Sequence, residues 1–271
     1  MGSGVGGMGG VSGVGGAGCG ADAARVVGAG SAAGAGRGAG CEADALPIAG
    51  IIPFSATDWP GKLTATVFVQ GCPLACVYCH NSALQAFAPQ GGAAIASAQE
   101  IAGDGIGDRK LFRDVMDLLR GRHGLLDGLV ISGGEPLSSP ALPAAIAAAH
   151  AEGFQVGLHT SGYAPARLRK LLADDSTRPE WIGLDVKALP EHLPEVARVS
   201  PGVAGRMWEA MRIVADSARE HGTGVQMRTT VWPDSVVERT LGELQNATRD
   251  LGYELHIQWA RDVDSEGNYV G

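Results

Sequence analysis

The stretch "TATVFVQGCPLACVYCHN", residues 64–81, joins a run of apolar and β-branched residues to a loop holding Cys72, Cys76 and Cys79. The first half reads as a strand buried on both faces, because apolar side chains continue with hardly a polar break. The second half places three of the chain's five cysteines within eight residues. A closed structural metal site normally uses four ligands, so three suit a centre that keeps one position open.

Similar β-rich runs recur outward from this stretch: "LDGLVISGG" (126–134), "FQVGLHTSG" (154–162), "WIGLDVKAL" (181–189), "VQMRTTVW" (225–232) and "YELHIQWA" (253–260). Helical spacing separates them. Leu111, Val115, Leu118 and Leu119 share one face, as do Leu142, Ile146 and Ala149. Met207, Met211, Val214 and Ala218 form a third stripe, read as core, and Val237, Leu241 and Leu244 a fourth. Strands alternating with helices predict βαβ crossovers and a parallel sheet. Six units are too few for an eight-stranded closed barrel. An incomplete barrel and a doubly wound open sheet both fit this pattern.

The polar residues gather at the predicted strand ends. The cysteine loop follows the first strand, "GGEP" (133–136) the second and "HTSG" (159–162) the third. Asp185 and Lys187 end the fourth, Arg228 lies in the fifth, and Gln258 and Trp259 end the sixth. Parallel α/β folds build their sites at the C-terminal strand ends, where the loops converge. Six strands thus deliver candidates to one rim.

The first forty residues differ from the rest, being almost all Gly, Ala and Ser. Such a segment offers too little apolar surface to offset its ordering entropy. A disordered tail is expected over 1–45 and a folded domain over 46–271. With 29 acidic and 21 basic residues the net charge is −8, and no basic run marks a nucleic-acid surface. No run of about twenty apolar residues predicts a membrane span, and the N-terminus lacks the pattern of a secretory signal. An odd number of cysteines without export points to thiolate chemistry in the cytoplasm.

Two local patterns mislead. "VVGAGSAAG" (26–34) imitates a dinucleotide loop, but neither a full strand before it nor a helix after it is visible. "CVYCH" (76–80) imitates covalent haem attachment, which leaves Cys72 unexplained. Zinc is the stronger rival, with Cys19 or Cys41 as a fourth ligand at an entropic cost.

An iron–sulfur cubane normally takes four thiolates. With three, one iron is free to bind a small molecule. C-x-x-x-C-x-x-C after the first strand, with Tyr78 before the last cysteine, resembles the radical S-adenosylmethionine (SAM) superfamily, as does GGEP after the second strand. "IAGIIPFSATDWPGKLTATVFVQGCPLACVYCHN" (48–81) and "GLLDGLVISGGEPL" (124–137) look like glycyl-radical enzyme activases. They are most similar to the activating proteins of anaerobic ribonucleoside-triphosphate reductase. The resemblance spans about residues 48–262. The absence of cysteine in residues 80–125 sets it apart from activases with an inserted second-cluster domain.

This resemblance implies a radical SAM partial (β/α)6 barrel, a [4Fe-4S] cluster on Cys72, Cys76 and Cys79, and reductive cleavage of SAM. Backbone around Tyr78, Cys79 and His80 is expected to meet adenine. Gly133, Gly134 and Glu135 would hold the methionyl ammonium. Ser161, Asp185 and Lys187 would address the ribose and methionyl carboxylate, with Arg228 beside them. It implies a glycyl-radical enzyme as partner, reduced flavodoxin or ferredoxin as electron donor, and neither nucleic acid nor membrane. His159 departs from the family, where Asp is common, and argues against the monovalent-cation site of some relatives.

Blander readings accompany several residues. Glu135 also fits a cap before Pro136, Asp185 and Lys187 a structural pair, and Arg228, Gln258 and Trp259 rim packing. His80 reads as a structural contact. Asp58 and Trp59 fit either a substrate loop or a turn set by Pro60-Gly61. Beyond activation of the reductase, an activase of a pyruvate formate-lyase-type enzyme, a synthase acting on a small molecule, and an iron–sulfur or zinc redox module without SAM chemistry remain open. GGEP and the strand-end polar set separate the last from the others.

Overall fold

The computed structural model describes residues 42–87, 111–264 and 266–270. The glycine-rich segment through residue 41, with Cys19, Cys41 and the dinucleotide-like pattern, lies outside them.

One seven-stranded sheet follows chain order. β1 (Ile48–Ser55) runs antiparallel to β2 (Thr64–Val69). From β2 onward β3 (Gly128–Gly133), β4 (Gln155–Thr160), β5 (Trp181–Asp185), β6 (Gly224–Val231) and β7 (Leu255–Trp259) lie parallel. A doubly wound sheet reverses its strand order at a switch point; this order never reverses. The fold is therefore the incomplete barrel, its six parallel strands matching the six expected runs. β1 was not among those runs. Its signal, the apolar run at 48–52, is short and ends at Pro53, as befits an edge strand.

The connections contain α1 (Phe112–Arg120), α2 (Leu142–Ala151), α3 (Pro165–Leu172) and α4 (Leu193–Ala197). Then come α5 (Pro201–Trp208), α6 (Ala210–His221), α7 (Val236–Arg239) and α8 (Leu241–Arg249). The methionine stripe spans two helices, breaking at Glu209, and the last stripe breaks at Thr240. Outer-face Leu129, Ile131, Leu158, Ile182 and Met227 are buried against Val115, Leu119, Ile146, Leu168 and Val214. Alternate residues therefore face inward. Core packing begins before β1: Ala43 and Leu46 are buried, and Asp44 accepts hydrogen bonds from Arg113 N–H (2.9 Å) and Nε (2.7 Å).

The inner face has its own small apolar cluster. Trp59, from the β1–β2 connection, stacks on Trp181 (centroids 5.8 Å apart, planes at 20°) beside Val130. A Cβ on Gly157 would come within 2.9 Å of the Trp59 ring, so glycine there makes the space. This pair closes the N-terminal end of the inner face, so that functional side chains accumulate toward the C-terminal end.

Candidate functional site

The end of β3 lies unusually close to the start of the cysteine loop. Gly134 N–H donates to the Val69 carbonyl (2.8 Å) and Glu135 N–H to that of Gly71 (3.0 Å). Gly133 has φ +111°, and a Cβ there would meet Val69 N at 2.2 Å; on Gly134 it would meet the Gly71 carbonyl oxygen at 2.3 Å. Only glycine permits both the backbone angle and the approach.

Separate anchors hold the cysteine loop along its length. Gly71 N–H donates to the Leu84 carbonyl (2.8 Å) and Cys72 N–H to that of Gln85 (3.0 Å). Ala75 and Val77 donate to the carbonyls of Ala197 and Val196 at the end of α4, both at 3.1 Å. Cys79 N–H closes a turn onto the Cys76 carbonyl (3.2 Å). The Tyr78 ring packs against Trp232, centroids 5.4 Å apart. Burial pushes the Cys72 thiol up to about 12, against a hydrogen bond from the Leu74 backbone, and also raises Cys76 and Tyr78. The buried Tyr78 hydroxyl makes no hydrogen bond of ordinary geometry among the described residues, and the Lys187 ammonium is the polar group that interacts with it.

Glu135 is 1% exposed and fully engaged. Oε1 accepts from Leu137 N–H (3.0 Å) and Thr160 Oγ1 (2.6 Å), and Oε2 from Ser161 N–H (2.8 Å) and Ser161 Oγ (2.5 Å). A carboxylate offers about four acceptor positions, and the protein takes them all. The glutamate thus caps the turn at Pro136–Ser138 and also ties the end of β3 to that of β4.

A row of charges crosses the ends of β5 and β6. Arg228 Nε donates to Asp185 Oδ1 (2.5 Å), and Lys187 Nζ lies 3.7 Å from Asp185 Oδ2. Burial would raise the Asp185 carboxyl, but Arg228 and Lys187 hold it below its ordinary value. Burial would likewise lower Lys187, yet the surrounding Tyr78, Cys76, Asp185 and Cys72 push it well up. Lys187 Nζ stands 5.6 Å from the Tyr78 ring centroid.

His159 sits below this row. Its Nε2 is 2.8 Å from the Asp58 carbonyl oxygen and 3.3 Å from Arg228 Nη1, and its Nδ1 is 3.2 Å from Ser132 Oγ. A carbonyl only accepts, so Nε2 carries the proton and Nδ1 accepts from Ser132. Burial and the Arg228 charge lower His159 to about 4 and keep it neutral.

The eleven residues Cys72, Cys76, Tyr78, Cys79, Gly133, Gly134, Glu135, Ser161, Asp185, Lys187 and Arg228 all line one cleft. Asn81, Gln85, Ser132, His159 and Thr160 join them. Sequence reasoning assigned no cleft position to Asn81, Gln85, Ser132 or Thr160; the adjacency of Asn81 to the cysteine loop and of Thr160 to Ser161 was the available signal. Other candidates lie elsewhere. Asp58 and Trp59 belong to the closed end beneath the cleft, where Asp58 accepts from Thr66 Oγ1 (2.6 Å). The His80 ring packs on Tyr269. Gln258 pairs in register with Thr230 on the open last strand, and Trp259, 57% exposed, pairs with Val231 on the opposite, helix-bearing face.

The donor set fits an iron–sulfur cluster with a small polar ligand. Three thiols from one loop face the cleft, beside the buried Tyr78 and the Lys187 ammonium, which lies 3.7 Å from the Asp185 carboxylate. Among the described residues, no three His, Cys, Asp or Glu side chains form a group suited to one metal ion. No helix among them is long and apolar enough to cross a membrane.

A sequence profile of the radical SAM superfamily matches residues 66–240. A Methanocaldococcus jannaschii protein with the provisional name glycyl-radical enzyme activating enzyme MJ1227 is 26% identical over 204 residues, covering 75% of each chain. Streptococcus suis SuiB, solved bound to S-adenosylmethionine, aligns at 13% identity with a TM-score of 0.48. That alignment covers 73% of this chain but only 40% of SuiB. Escherichia coli QueE aligns at 17% identity and a TM-score of 0.43, covering 79% of this chain and 93% of its own.

Proposed function

This chain belongs to the radical SAM superfamily, and on that premise we propose that it activates a glycyl-radical enzyme. The preferred partner is anaerobic ribonucleoside-triphosphate reductase. The observation that carries the reading is the convergence of the three cysteines and eight expected cofactor contacts on one cleft. The relative from M. jannaschii supports the activase class, and the long motif resemblance supports the reductase as partner.

Cys72, Cys76 and Cys79 would hold a [4Fe-4S] cluster, with SAM in the same cleft. When bound, these would supply one-electron reductive cleavage of SAM and, through it, removal of a hydrogen atom from a partner glycine. The electron comes from reduced flavodoxin or ferredoxin.

The chain's own residues bind and orient. Gly133, Gly134 and Glu135 form the place for the methionyl amino group. Because protein donors fill the Glu135 carboxylate, its part is to fix the strand end and contribute negative charge. Backbone carbonyls at 133–134 then accept directly. Lys187, with Ser161 and Asp185, meets the carboxylate and ribose, and Arg228 holds Asp185 in place. Backbone at 78–80 meets adenine. The unclosed side of the sheet suits admission of a protein loop. The catalytic domain expected over 46–271 extends back to Ala43 and Asp44, which pack on it, and the glycine-rich segment precedes it.

Coexpression with candidate glycyl-radical enzymes, followed by anaerobic reaction with SAM and reductant, tests the reading. A glycyl doublet in the low-temperature EPR spectrum of the reductase is expected only when SAM, reductant and this protein are all present. Steady release of 5′-deoxyadenosine with no glycyl radical on any candidate would overturn activation in favour of a small-molecule synthase.

A further inference from the structure

The supports of the three cysteines come from different parts of the chain. Cys72 is held through Gln85, just beyond the loop, and the Cys76 segment through Val196 and Ala197 at the end of α4. Among the described residues, the backbone around Cys79 makes only its local turn, and both flanking side chains rest on aromatic residues from much later in the chain. Tyr78 packs on Trp232, and His80 packs on Tyr269 at 4.7 Å between centroids.

Trp232 and Tyr269 are joined by the C-terminal hairpin. Val263 bridges Tyr269, and Val270 N–H donates to the Asp262 carbonyl (2.8 Å). Asp264 Oδ1 accepts from Asn268 N–H (2.8 Å) and Glu266 N–H (2.9 Å), which sets the turn. Gly267, at φ +83°, lies so close to Trp232 that a Cβ would approach its ring at 2.4 Å. Gly267 therefore presses on Trp232, Trp232 on Tyr78, and Tyr269 on His80.

We propose that the C-terminal hairpin is the third anchor of the cysteine loop, a positioning element acting on Cys79 through Tyr78 and His80. Its effect is selective, since Cys72 and Cys76 have anchors of their own. Only the iron readout below rests on the proposed cluster; thiol reactivity in the metal-free protein does not.

Full-length, metal-free, reduced protein is treated with iodoacetamide, and alkylation of each cysteine is followed by mass spectrometry. The variants are Tyr269→Ala, which removes a surface ring, Gly267→Val, which forces the hairpin off Trp232, and the conservative Tyr269→Phe. Alkylation at Cys79 is expected to accelerate at least about threefold in the first two and to stay near wild type in Tyr269→Phe. Rates at Cys72 and Cys76 should remain within about twofold. In reconstituted protein the same two variants should lose iron to a chelator faster. Unchanged Cys79 reactivity in both variants, or equal acceleration at all three cysteines, would overturn the proposal; either outcome leaves the activase reading untouched.

Discussion

Glu135 and His159 show how far a residue's identity leaves its role open. A carboxylate after two glycines suggested a partner for an ammonium, but its four acceptor positions serve Leu137, Thr160 and Ser161. In Glu135→Gln, either amide orientation turns an NH2 toward a backbone N–H that cannot reorient. The unfolding free energy should therefore fall by about 2–3 kcal/mol, measurable by urea titration. An unchanged midpoint would mean that the carboxylate is not a staple. His159 makes a prediction with pH. Its folded-state value near 4 lies below the ordinary 6.5, so the unfolded chain takes up a proton first as pH falls. Its contribution is full above about pH 7, declines toward pH 4 and is flat below. The difference between wild type and His159→Gln should shrink across that window by up to about 3 kcal/mol. Parallel stability–pH curves for the two proteins would reject this burial of His159.

At the scale of elements, glycines on the inner face of the sheet decide what fits there. A Cβ on Gly183 would meet the Trp181 ring at 2.8 Å and Arg228 Nη1 at 3.0 Å. Gly183→Ala should cost about 1–3 kcal/mol by overpacking. It should also weaken SAM binding, because the displaced guanidinium no longer holds Asp185. Gly205, in α5, has nothing within 4 Å of its would-be Cβ, so Gly205→Ala should stabilise by about 0.5–1 kcal/mol. Thermal melts and SAM titrations of the two variants make the comparison. Equal effects would show that inner-face packing is not the cause. The helix stripes were legible at element scale because an apolar face recurs every third or fourth residue. The breaks at Glu209 and Thr240 were not, since Glu209 keeps helical angles (φ −64°, ψ −24°) and its sequence carries no helix breaker.

For the whole molecule, packing among the described residues starts at Ala43 and the Asp44–Arg113 pair. Removing residues 1–41 should leave iron content and SAM cleavage nearly unchanged, whereas a deletion through Leu46 should lower the melting temperature by several degrees. Cys19→Ala and Cys41→Ala should still load about four irons and four sulfides, while Cys72→Ala, Cys76→Ala and Cys79→Ala should each lose the cluster. Iron and sulfide analysis after anaerobic reconstitution distinguishes these outcomes. Cluster loss on changing Cys19 or Cys41 alone would instead support a four-thiolate site.

Local order in the chain was sufficient for the six parallel strands, the cysteine loop and the polar residues at strand ends. Each rests on patterns within about ten residues: continuous apolar runs, ligand spacing and glycine before a charged residue. Contacts between distant segments required the tertiary structure. The stacking of Trp59 on Trp181 closes one end of the inner face. The union of Glu135 with Ser161 fixes two strand ends, and Trp232 and Tyr269 reach back to Tyr78 and His80. Periodicity shows which side of a strand is apolar, but not which remote ring, carboxylate or backbone will meet it there, because sheet register and curvature bring those groups together.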